Sequence, residues 1–121
     1  MIASTRIAPL NSLVLIADPR GGKIPDSMRG SLIVSSSSCI AVGCRSEVDG
    51  ETEITLGAMQ EVDPGDRPAF EGQLETPSRS VVVSTVHGQV ILEASVQDRD
   101  TRVRVWVNDL DEPNRVTIGV A

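Results

Sequence analysis

The chain has 121 residues, of which 17 are acidic and 11 basic, for a formal net charge of −6; 40 % are apolar and only 2 % aromatic. That length suits one domain with a single core, and the composition excludes a disordered chain, a collagen and a coiled-coil rod. No run of about 18 apolar residues occurs, which excludes a transmembrane helix; we read residues 1–121 as a single β domain and expect it to be cytoplasmic.

In chain order, the first apolar run is Ser12 to Ala17. It resembles a signal-peptide core, but Asn11 and Ser12 interrupt its start and Asp18-Pro19 stands where a cleavage site belongs, so a strand is expected. Asp18-Pro19-Arg20-Gly21-Gly22 closes it, and the only helical candidate is a turn around Asp26 to Arg29. Ser31 to Ser35 and Cys39 to Arg45 read as strands. Asp49-Gly50 is a two-residue hairpin signal between Arg45 and the alternating strand Glu51 to Leu56. Ala58 to Ala69 reads as a loop and Phe70 to Glu75 as a strand. Ser80 to His87 and Gln89 to Gln97 form a hairpin about His87-Gly88, with Val90, Leu92, Ala94 and Val96 on one face. Thr101 to Val107 directs Val103, Val105 and Val107 inward and Arg102, Arg104 and Trp106 to the opposite side. Asn108 to Asn114 is an acidic loop, and Arg115 to Val120 is the last strand. Eight or nine short strands with Gly/Pro turns predict an all-β fold, an antiparallel sandwich or a jelly-roll-like barrel.

The function classes narrow by subtraction. A negative surface repels phosphate backbones and attracts basic partners, so no nucleic-acid contact is expected. One Phe, one Trp and no Tyr cannot build an aromatic platform for sugars or single strands. His87 is the sole His and sits in a turn; a metal cupin needs several. No serine stands in a nucleophile elbow, and the Asp18 to Lys23 stretch lacks phosphate-loop spacing. We expect no enzyme and no cofactor. Cys39 and Cys44 are five apart, on opposite faces of one strand, and read as unpaired thiols. Asp98 with Asp100, and Asp109 with Asp111 and Glu112, are acidic turns; calcium needs six to eight converging oxygens, and neither stretch matches an EF-hand.

Two patches remain as partner-binding candidates. Glu47, Asp49, Glu51 and Glu53 lie in a stretch without a base from Ser46 to Asp66. Arg102, Arg104 and Trp106 combine the residue types enriched at interface hot spots.

The stretches Glu51-Thr52-Glu53-Ile54-Thr55-Leu56-Gly57, Phe70 to Ser78 and Val103-Arg104-Val105-Trp106-Val107 resemble the strand plan of the small all-β competence protein J family. Where that family has an aromatic, Gly-containing turn with a Tyr, this chain has Gln97-Asp98-Arg99-Asp100-Thr101, with neither Gly nor Tyr. The resemblance implies a protein inhibitor of a nuclease or an immunity-like protein, and therefore a basic, nuclease-like partner. No functional residue carries over by motif; the acidic segment Glu47 to Glu53 is our own assignment of the bait. The alternative is a self-associating structural module with Trp106 at its seam.

Overall fold

The computed structural model describes residues 2–26, 28 and 30–121. Ten strands are present among them: β1 (Ile2–Ile7), β2 (Leu13–Ala17), β3 (Ile33–Ser35), β4 (Cys39–Gly43), β5 (Thr52–Ala58), β6 (Phe70–Glu75), β7 (Ser80–Thr85), β8 (Val90–Ser95), β9 (Asp100–Val107) and β10 (Arg115–Val120). They form two five-stranded sheets, ordered β1-β5-β10-β9-β6 and β3-β4-β2-β7-β8. The fold is all-β, and of the two expected architectures it is the sandwich. One pair departs from the antiparallel expectation: β5 and β10 run parallel, with Ile54 beside Val116 and Leu56 beside Ile118.

Alternation explains the core. Ile54 and Leu56 on β5, Val103 and Val105 on β9, and Val116 and Ile118 on β10 point inward and are at most 1 % exposed. They meet Val14 and Ile16 of β2, Ile40 and Val42 of β4 and Val81 and Val83 of β7 from the facing sheet. A second, smaller cluster lies on the outer face of the β2–β4 sheet, where Leu15, Ala17, Cys39 and Ala41 are buried with Leu13 and Met28 against them.

Four readings need correction. β1 went unread because Ile2-Ala-Ser-Thr-Arg-Ile7 alternates residues of middling polarity; its partners on β5 supply the pairing. Asp49-Gly50 does not close a hairpin. Gly50 takes the positive φ that the turn asks for, +128°, but β4 and β5 belong to different sheets. A 3₁₀ turn over Glu47–Asp49 carries the chain between them. Residues 58–69 contain one helical turn, α1 (Met59–Val62), rather than loop alone. Finally, a register shift between Val83 and Ser84 places Val90 opposite Ser84, so Val90 leaves the face of Leu92 and is 53 % exposed. The expected turn at Asp26 to Arg29 includes Ser27 and Arg29, which lie outside the described residues.

The long β2–β3 connection is pinned at its start. The buried carboxylate of Asp18 accepts N–H bonds from Arg20 (3.0 Å) and Ser78 (2.8 Å) and the hydroxyl of Ser78 (2.8 Å). Lys23 N–H donates to Ser38 Oγ at 2.8 Å, so the serine run grips the same connection.

Candidate functional site

Three connections converge on one end of the sandwich: the β1–β2 turn at Leu10–Ser12, the β4–β5 turn at Glu47–Asp49, and the β9–β10 loop over 108–114. Main-chain hydrogen bonds weld them. Cys44 N–H donates to Ser12 O (2.8 Å), Arg45 N–H to Pro113 O (2.9 Å), and Glu53 N–H to Asn114 O (2.9 Å). The acidic turn and the acidic loop, far apart in sequence, are thus side by side.

Each loop is also stiffened from within. Asn108 Oδ1 accepts the N–H groups of Asn114 (3.1 Å) and Arg115 (3.0 Å). Asp109 Oδ1 accepts those of Asp111 (2.7 Å) and Glu112 (3.0 Å). The backbone donors of Glu112 and Asp111 hold the Asp109 carboxyl below the usual aspartate range. Asp109 thus stays ionised and serves its own turn.

The sequence-predicted residues separate here. Asp49 and Glu51 are exposed and Glu47 half-buried at this end. Glu53 is not among them, because strand parity turns it onto the outer face of the β1–β5–β10 sheet. There it lies between Arg6 (3.5 Å) and Arg115 (3.3 Å) on the flanking strands. Those two arginines are therefore directed at Glu53 and away from the loop carboxylates. Arg45 differs: a Cβ on Gly50 would lie 2.8 Å from Arg45 Nη2, so its guanidinium rests against that glycine, within the acidic turn. Glu47, Asp49, Glu51, Asp109, Asp111 and Glu112 share one end; among the described residues Arg6 and Arg115 are drawn off to Glu53, and Arg45 is the base that stays beside the 47–51 turn.

Two residues were missed. Val48 is 87 % exposed between Glu47 and Asp49, and Leu110 is 74 % exposed between Asp109 and Asp111. Each is an apolar residue flanked by acids at a loop tip. That local pattern was legible in the sequence, whereas their common location was not.

The second patch is not a surface of the expected kind. Arg102, Arg104 and Trp106 do share the outward face of β9, but Trp106 is only 5 % exposed. The chain covers its own indole. Trp106 Nε1–H donates to Asp66 O at 2.9 Å, and α1 lies across the ring. Gly119 of β10 permits this approach, since a Cβ there would fall 3.1 Å from both Met59 Cα and the indole. Arg104 pairs with Glu71 of β6, and Arg102 stands exposed opposite Gln73.

Both thiols are free and buried. Burial pushes Cys39 up to about 11 and Cys44 up to about 12, the opposite of what a nucleophile needs. Among the described residues, no group of three or more His, Cys, Asp and Glu is arranged to hold a metal ion. No helix among them is long and apolar enough to cross a membrane.

No family model matches the chain, and no curated protein does. Two solved structures do. One is ComJ from Bacillus subtilis, described as an inhibitor of the DNA-degrading activity of NucA; it shares 10 % identity at a TM-score of 0.65, over 99 % of this chain and 97 % of ComJ. The other is crocagin biosynthetic gene J, with 13 % identity and a TM-score of 0.58, over 99 % of this chain and 96 % of its own. Coverage this complete at such low identity bears on architecture alone: over almost its whole length, this chain is similar in fold to ComJ.

Proposed function

We propose that the protein is a non-enzymatic binding domain, an inhibitor or immunity-type partner of a basic, nuclease-like enzyme, and that it binds through its acidic loop end. One observation carries the reading: six carboxylates gather on two of the three welded loops while Arg6 and Arg115 are paired with Glu53 on the outer sheet face. A nuclease presents a positive cleft to phosphates, and a rigid array of carboxylates can occupy that cleft in their place. Such complementarity accelerates encounter and rejects acidic competitors. Val48 and Leu110 add apolar area within the charged rim, the arrangement that anchors tight interfaces. Likeness in fold to an inhibitor of a DNA-degrading activity supports this choice among binding roles.

The test is a plasmid-cleavage assay in which each basic DNA-degrading enzyme of the producing cell is titrated with the protein. The reading expects one of them to be inhibited stoichiometrically, with the inhibition weakening as salt rises. Changing Glu47, Asp49 and Glu51 to Lys should abolish that inhibition. Inhibition that survives the triple change at low salt would place the contact elsewhere. No inhibition of any such enzyme would reject the nuclease assignment.

A further inference from the structure

The end of the sandwich opposite the acidic loops holds a groove of about 800 Å³. It opens where edge strand β1 of one sheet passes edge strand β8 of the other. Its floor is aliphatic, from Leu56, Ala94, Val96 and Val120, and its rim carries the acid Asp98; Glu93 also borders it, but its carboxylate accepts the Ser80 hydroxyl at 2.9 Å. Among the described residues no Lys or Arg lines it; Arg99 follows Asp98 in the chain, and Arg79 and Arg102 bond through their main chains to Val96 and Ala121, but none is among the lining residues. The volume falls in the range of built ligand sites, about 300–1,000 Å³. β1 and β8 are each hydrogen-bonded to a strand on one side only, so each presents an open row of main-chain donors and acceptors along the groove.

We propose that this groove binds an extended segment of a partner protein in which Lys or Arg alternates with aliphatic residues. Three features select that occupant. The open strand edges match an extended backbone, which can add to a sheet by main-chain hydrogen bonds. The aliphatic floor takes alternate side chains and the stems of Lys or Arg. Asp98, with no base among the described lining residues, takes a cationic head. The absence of any aromatic side chain from the lining disfavours planar ring ligands. This site is separate from the acidic loops and does not depend on the function proposed for them.

The experiment is a two-dimensional NMR titration of the full chain with three synthetic pentapeptides, capped at both ends: Val-Lys-Val-Arg-Val, its Glu-for-Lys/Arg counterpart, and a scrambled Gly/Ser peptide bearing the same charges. The proposal expects only the first to shift the amides of Ala3, Ala94, Val96 and Val120 in a saturable manner. Asp98→Lys should weaken that binding about tenfold or more at low salt. This substitution spares the fold, because Thr76 Oγ1 donates to the main-chain carbonyl of Asp98 (2.9 Å), not to its carboxylate. Ala94→Leu, which fills the floor, should abolish binding, and an unchanged spectrum away from the groove will show that the variant still folds. Equal binding of the acidic peptide overturns the proposal. So does binding of the Gly/Ser peptide, or shifts confined to residues 47–51 and 109–112. Shifts by spermine equal to those of the first peptide would mean that only the charge is read, and would overturn the peptide assignment.

Discussion

At the scale of single residues, the buried acid and the two thiols behave in opposite ways. Burial by itself would raise the pKa of Asp18, but the main-chain N–H of Arg20 and both donors of Ser78 outweigh it, and the carboxyl titrates below its ordinary 3.8. A folded-state pKa below the unfolded one adds stability above the ordinary value, and that stability is lost as pH falls through it. The midpoint of thermal unfolding should therefore fall steeply below about pH 4. Asp18→Asn should flatten that fall while costing about 1–3 kcal/mol at neutral pH, because the donors of Arg20 and Ser78 lose their charged acceptor. A circular dichroism melt series from pH 7 to 3 on both proteins decides it; parallel curves would remove Asp18 from the account. For Cys39 and Cys44, buried and held protonated, iodoacetamide at pH 8 should label neither in the folded protein and both in guanidinium. Mass spectrometry reads this directly, and rapid native labelling of either thiol would contradict its burial.

At the scale of elements, the most informative piece is the α1 turn seated on Trp106. A four-residue helix has no stability of its own, so it persists by packing against the indole and the flat strand at Gly119. Trp106→Ala should cost about 3–5 kcal/mol by leaving a void under α1. Gly119→Ala should cost about 1–3 kcal/mol, because β10 and Met59 Cα cannot separate cheaply. Urea denaturation of the two variants measures both. Under the self-association alternative, Trp106→Ala would instead reduce the mass in light scattering with little loss of monomer stability. By contrast, Glu53 between Arg6 and Arg115 is partly exposed, so its pairing contributes little to folding; its consequence is directional, since it draws two cations off the loop end.

At the scale of the whole molecule, charge is unevenly placed. Six carboxylates on one end repel one another, and salt or a cationic surface would weaken that repulsion. The combined variant Glu47→Gln, Asp49→Asn and Glu51→Gln should therefore melt no lower than the wild type, because it removes repulsion and no structural hydrogen bond of these side chains is lost. On the proposed function it should at the same time bind its basic partner more weakly. This opposition of stability and binding is expected of a functional surface rather than a structural one. Differential scanning fluorimetry at low and high salt measures the first half. A melting point several degrees below the wild type would show that these acids hold the loops.

The all-β class and most strands were legible because alternation is a local property. Thr52 to Leu56 and Thr101 to Val107 carry their inward and outward faces in the residue types alone, and burial follows them. The surplus of acids and the single His were likewise readable by counting. What the sequence could not decide is which strand lies beside which. β1 exists because β5 offers it an edge, Asp49-Gly50 turns without closing a hairpin because β5 pairs with β1 and β10, and Trp106 is buried because Gly119 lets α1 descend onto it. The acidic end has the same origin: residues 47–51 and 109–112 are brought together by the hydrogen bonds of Arg45 to Pro113 and Glu53 to Asn114. Sequence spacing reports faces, whereas neighbours across a sheet are chosen by the burial of all ten strands at once, and that choice belongs to the tertiary structure.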